Sequence, residues 1–230
     1  MPVSPGLLLL ADSRLPAGGH AHSGGLEAAA AAGSVAGLDG LADFLRGRLA
    51  TAGLVSAGLA AAAGQHAAQV AGGGAPRWAQ LLAEAAARTP SPAQRRASCA
   101  QGRALLRAAR AAWPGSVLDS ITAAAGPEHS YHPVVLGACA CAAGGTPGDA
   151  AVIAATASVT GPASAAVRLL GLDPLAVHAM LAGLAGDIAS VGRSAAVAAG
   201  DWAALPAASS PGLDLLAERH AREEVALFAS

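Results

Sequence analysis

His20 and His22, with one alanine between them, precede Glu27 in the segment Leu15-Pro-Ala-Gly-Gly-His-Ala-His-Ser-Gly-Gly-Leu-Glu27. Imidazole is a good ligand for Ni(II), and a carboxylate close by can add a third donor or take a proton. Two histidines do not complete a metal site. The sharper reading is a weak, transient surface site with Glu27, completed by a second copy of the chain; the plainer one is a pair of polar rings on an interface loop. His129 and His132 form another pair at ligand-like spacing, although His132 stands just before Pro133, where it equally serves to cap a helix. Cys99, Cys139 and Cys141 are an odd set in a chain too long to need disulfide staples, and read as reduced core thiols. Arg168 is a cation in an apolar stretch, so it calls for an interface or an internal partner such as Glu27 or Asp187. Arg95, Arg96, Arg103, Arg107 and Arg110 form a basic helix face, solvated or open to an acidic partner.

The elements that position these residues are helices. Of the 230 residues 53% are hydrophobic, but alanine supplies much of that and aromatics only 3%, so the core must consist of closely approaching backbones. Alanine is the best helix former, while β-branched and aromatic residues are too sparse for a sheet. An all-α, single-domain helical bundle of roughly nine to eleven helices follows from the spacing of breakers. The domain covers 1–230, with an N-terminal segment and loop over 1–24 and a C-terminal helix and tail over 212–230. Pro16 and the glycines at 18, 19, 24 and 25 allow a tight loop; Ser23 or Gly24 caps the next helix, and Glu27 falls in its first turn.

Further along, Leu41, Phe44, Leu45 and Leu49 mark the buried stripe of a helix from Asp39 to about Val70, with Arg46 and Arg48 outside it. Trp78 and Phe44 read as core residues. Helices are expected from Trp78, over 92–112 and 117–125, and from His132 to near Gly144. Another begins at Pro147 and is interrupted or kinked at Gly161-Pro162; two more cover 174–199 and 212–227.

Several function classes are excluded. A formal charge of −1, with 14 basic residues that are all arginine, provides no broad surface for a phosphate backbone, so no nucleic-acid partner is expected. The opening apolar run Leu7–Leu10 lacks a basic flank, and no stretch of about 20 residues is apolar and unbroken, so a cytoplasmic protein without a membrane partner is expected. No phosphate-binding G-x-x-x-x-G-K-[ST] loop occurs, and lysine is absent altogether.

Leu15, Pro16, Gly18, Ser23, Gly25, Leu26, Glu27 and Ala29 match the N-terminal signature of the urease accessory protein UreF family, roughly L-P-x-G-x-F-x-Y-S-x-G-L-E-x-A. Arg95, Ser98, Gly102, Arg103, Leu105 and Leu106 resemble its R-x-x-S-x-x-x-G-R-x-L-L segment. His132-Pro-Val-Val-Leu-Gly137 resembles H-P-V-x-x-G, and Ala165-Ala-Val-Arg-Leu169 resembles A-A-x-R/K-L. Gly212-Leu-Asp214, Arg219-His220 and Leu227-Phe228-Ala-Ser230 resemble its tail.

The resemblance implies an all-α, non-enzymatic accessory protein without a firmly bound cofactor. It also implies that the protein forms a homodimer in a complex with UreD (also called UreH) and the GTPase UreG. That assembly delivers nickel, in transit, to apo-urease. The implied partner-binding residues are Pro16, Gly18, His20, His22, Ser23, Gly25 and Glu27 in the loop, then Arg168, then Asp214, Arg219, His220, Leu227 and Phe228. His20 and His22 occupy positions that are aromatic in the pattern, and the tail lacks two arginines and a tyrosine, so tail docking must use a shifted set of contacts. Two rival readings are a metal hydrolase built on His20, His22, Glu27 and His129 or His132, and a generic helical interaction module.

Overall fold

The structure, a computed structural model, describes residues 4–126, 128–222 and 227–228; the side chain of His20 also lies outside the described set. Helix α1 spans Pro5–Ala11, and a 3₁₀ turn at Gly19–Ala21 leads to α2 at Leu26–Ala31. Helix α3 (Gly37–Arg48) runs through a π-helical segment at Leu49–Gly53 straight into α4 (Leu54–Ala71). There follow α5 (Trp78–Ala87), α6 (Pro92–Ala112), α7 (Ser116–Ala125), α8 (His132–Ala142) and α9 (Pro147–Leu170). The chain continues with α10 (Pro174–Gly183), α11 (Ala185–Val197) and α12 (Pro211–His220). Among the described residues the protein is all-α, as its composition predicts.

Helix α4 is the axis. Every residue from Ala57 to Ala63 is buried, because α8, α9 and α11 pack around it; α6 lies behind α8, and α12 bridges α2 and α6. Small side chains make this possible. A Cβ on Gly137 of α8 would lie 2.2 Å from the Ala60 carbonyl oxygen of α4, so these two helices meet backbone to backbone. Gly102 of α6 has the same role against the start of α8, where a Cβ would fall 1.7 Å from the Ser130 carbonyl. Ser98, one turn earlier, accepts a hydrogen bond from the His132 amide at 3.1 Å. The serine and glycine of the R-x-x-S-x-x-x-G-R segment thus seat the α8 N-terminus.

Several starts follow local chemistry. Ser91 accepts from the Gln94 amide ahead of Pro92, Thr146 and Asp149 form a reciprocal capping box ahead of Pro147, and Asp173 accepts from the Leu175 amide ahead of Pro174. Trp78 is fully buried and donates to Ser120 at 2.8 Å, while Phe44 is half-buried against the core. His66 is buried edge-on between Trp78 and Trp202, and its Nε2 accepts the Arg77 amide at 2.8 Å; burial lowers its pKa. Cys99 and Cys139 are buried and Cys141 half-buried, all free, with burial pushing the Cys139 thiol up to about 12. Helix α9 is long and apolar enough to cross a membrane, but half of its apolar window is buried inside the fold, as in a core helix.

Two spans differ from expectation, and a third is uninterrupted. Helix α9 continues through Gly161-Pro162 without a break, because the Ser158 carbonyl that Pro162 leaves without an amide is taken by Arg48 Nε at 2.9 Å. The single helix expected over 174–199 is two, bent by 47°: Leu184 turns into the core between Gly183 and Gly186, two weak helix formers. Helix α12 ends at His220 rather than near 227, because Leu227 and Phe228 fold back onto α2.

The α4–α8 contact makes a prediction with two signs. Gly137→Ala lowers stability by roughly 2–3 kcal/mol although alanine is the better helix former, because the helices must separate. Gly47→Ala, on the exposed face of α3 with open space around it, raises stability by roughly 0.5–1 kcal/mol. Thermal unfolding of the two variants checks this; equal shifts would overturn the close-contact account.

Candidate functional site

The signature loop is shaped by glycines that no side chain could replace. Gly24 and Gly25 adopt left-handed φ values of 61° and 89°, which turn the chain into α2. Gly25, rather than Ser23 or Gly24, occupies the N-cap position; Ser23 is wholly buried and accepts from the Glu27 amide at 3.3 Å. A Cβ on Gly24 would stand 2.9 Å from Pro162 Cγ and 3.0 Å from Arg48 Cζ, so the loop is seated directly on α3 and α9. Pro16 is exposed and Gly18, at φ 73°, opens the 3₁₀ turn.

Glu27 is the centre of the arrangement. Its two carboxylate oxygens accept the backbone amides of Leu227 and Phe228 at 2.8 and 2.9 Å, across some 200 residues of sequence. His220 Nε2 lies 3.5 Å from the same carboxylate and 3.1 Å from the Phe228 carbonyl oxygen. The Arg168 guanidinium covers the buried Phe228 ring at 4.5 Å, a cation–π contact. Leu227, in contrast, is 77% exposed. Five of the residues singled out in the sequence therefore meet at one place. Glu27, offered by the sequence as an ion-pair partner for Arg168 and as a metal donor, has both oxygens engaged by the tail. The other tail residues of the signature, Ala229 and Ser230, lie outside the described set, as does the Glu224–Ala226 run.

The rest of α12 fixes this clamp to the body. Glu218 accepts from the Ser91 hydroxyl at 2.5 Å and the Ala93 amide at 2.7 Å, so it completes the N-terminus of α6. These bonds hold its carboxyl below the ordinary glutamate range, whereas burial and the neighbouring Glu218 push Asp214 up. Asp214 is half-buried and Arg219 exposed. On the basic face of α6, Arg95 donates to the Thr89 and Pro90 carbonyls and Arg110 pairs with Asp119, so part of that face serves the fold.

The histidines regroup. His129 is exposed, whereas His22 and His132 both line a cavity of about 470 Å³, together with Arg48, Arg168, Ser98 and Asp214. His132 does not cap α8 with its side chain; Tyr131 holds the N-cap position. Burial, and then the neighbouring His22, draw its pKa down to about 4. Among the described residues no three His, Cys, Asp or Glu side chains come together as metal ligands. Arg48, Ser91 and Glu218 were not singled out as site residues. The signal for Arg48 was Pro162, which guarantees an orphan carbonyl in α9 but does not say which donor reaches it.

Two outcomes follow. Glu27→Ala removes the acceptor of both tail amides, and cleavage by trypsin after Arg219 and Arg222 accelerates at least about tenfold while the core stays resistant. For His132, protonation favours the unfolded chain because the folded pKa, about 4, is below the ordinary 6.5. Its contribution to stability is complete above 6.5 and is lost as pH falls toward 4. In His22→Ala the NMR titration midpoint of the His132 ring moves upward from about 4 but stays below 6.5, since burial is the larger cause.

The UreF family model matches residues 35–185. Urease accessory protein UreF of Mycobacterium sp. (strain JLS) is 46% identical over 224 residues, covering 97% of each chain. That of Mycolicibacterium vanbaalenii is 44% identical over 233 residues, and that of Mycobacterium tuberculosis (strain H37Ra) 41% over 224, again with 97% of each chain covered. These are accessory proteins rather than enzymes, and with Glu27 committed to the tail the hydrolase reading loses its carboxylate. With the family model spanning α3 to α10 and the relatives spanning nearly the whole chain, this protein belongs to the urease accessory protein UreF family.

Proposed function

We propose that this chain is the helical scaffold of a urease maturation complex, acting in the cytoplasm as a homodimer that joins UreD (UreH) and the GTPase UreG to apo-urease. In this reading it couples the GTPase cycle to delivery of nickel, which passes as cargo rather than as a resident cofactor. The observation that carries it is the convergence of Glu27, His220, Phe228 and Arg168, which turns the signature loop and the C-terminal tail into one continuous surface. Exposed Leu227 and Arg219 stand beside this clamp and present an apolar and a cationic group to a partner. The clamp holds that surface in one conformation, so a partner meets it without first having to order the tail.

The test is made in cells carrying the urease genes. Deleting this chain abolishes urease activity and nickel loading, and the tagged wild-type chain co-purifies with UreD and UreG. Glu27→Ala and Arg168→Ala reduce that co-purification at least about tenfold, equivalent to about 1.4 kcal/mol, at unchanged helix content. Nickel-loaded urease in the deletion strain would refute the maturation role. Full recovery of both partners by the two variants would refute the placement of the surface.

A further inference from the structure

Arg48 ends α3 where three irregularities meet: the π-helical segment Leu49–Gly53, Pro162 inside α9, and left-handed Gly24 of the loop. π-Helical segments are rare and tend to occur at functional sites. Nε of Arg48 is bonded to the Ser158 carbonyl, and Gly24 covers the guanidinium so closely that even a methyl group would be only 3.0 Å from Cζ and Nη2. No ion pair or hydrogen bond joins Nη1 or Nη2 to any described residue. The other charges around the cavity do not fill that role. Asp12 is bound by Arg14, Arg88 is paired with Glu84, and Asp214 makes no ion pair with Arg48. Burial alone draws the Arg48 guanidinium down to about 10. A half-buried cation that remains charged at neutral pH thus has no counter-ion among the described residues, a costly arrangement unless something anionic joins it.

We propose that the Arg48 corner of the cavity binds a small free oxyanion, of the carboxylate or phosphate kind, gripped end-on by Nη1 and Nη2. With Nε already committed, those two nitrogens still form a fork matching two oxygens of such a group. The cavity, about 470 Å³, is of ordinary ligand-pocket size, and Ser98 on its wall, whose oxygen accepts the His132 amide, keeps a hydroxyl proton to donate. Gly24 ties the site to the signature loop, so a bound anion braces the loop against α3 and α9. The site belongs to the isolated chain and stands independently of the partner reading.

Purified full-length protein is melted in chloride, acetate, bicarbonate or phosphate at matched ionic strength and pH. At least one of the three oxyanions raises Tm by about 3 °C or more, saturably, over chloride. Arg48→Met abolishes that rise, whereas Arg46→Met, which removes an exposed arginine on the same helix, retains it. If Arg48→Met does not fold, the arginine 15Nε spectrum of the wild-type protein takes its place, and a saturable shift of the Arg48 signal supports the site. No rise with any oxyanion, a rise that survives in Arg48→Met, or an Arg48 signal that does not move while Tm rises overturns the proposal. In the first case the Arg48 corner has no small-anion affinity of its own.

Discussion

The contact on which the rest of the structure depends is the approach of α8 to α4, where Gly137 leaves the Ala60 carbonyl no room for even a methyl group. A core with few aromatic rings can be dense only if its helices come close, since packing density rather than side-chain size sets the dispersion energy. Once α4 and α8 are held at this distance, α9 and α11 close on the remaining faces of α4. The position of α8 in turn fixes His132 and the wall of the cavity, because Ser98 and Gly102 grip its first turn. The site geometry is therefore a consequence of alanine packing.

The second consequence concerns the tail. Of Leu227 and Phe228 only Phe228 is buried, as part of the apolar core. The rest of the hold is polar: two amides on one carboxylate, a histidine on a carbonyl, and a guanidinium over a ring. Charged acceptors strengthen such bonds relative to neutral ones, and partial burial limits screening by solvent. Phe228 is the one group that joins the apolar and polar halves of this clamp, being buried beneath Arg168 while its backbone is bonded to Glu27 and faces His220.

Much of the fold was legible in the sequence because its signals are local. Ser91-Pro92, Thr146-Pro147 and Asp173-Pro174 announce their helices, and the caps form as the side-chain chemistry requires. The unbroken α9 span and the α10–α11 break have long-range causes. Pro162 removes a hydrogen bond within α9, but the repair comes from Arg48, more than a hundred residues away, and Leu184 breaks its helix to reach a core that no local pattern describes. For the site, Glu27, Arg168, His220 and Phe228 stood out one by one through their types. Their meeting did not, since the pairing of Glu27 with backbone amides leaves no side-chain signature at positions 227 and 228. His22 beside His132 was hidden in the same way.

A single physical theme connects these misses. Side chains that carry charge or a ring nitrogen are used here to satisfy backbone groups of distant segments. Arg48 takes the Ser158 carbonyl, Arg88 takes those of Trp202, Leu205 and Pro206, Glu218 takes the Ala93 amide, and His66 takes that of Arg77. An alanine-rich bundle has few large side chains with which to lock its loops, and an unsatisfied buried backbone group costs more than a made bond contributes. Long polar side chains resolve both difficulties at once. Glu27 and His220 then differ from Arg88 and His66 only in where they do this. The same stitching at the rim of the fold leaves the stitched segment facing outward, and the surface offered to partners is a structural clamp seen from its exposed side.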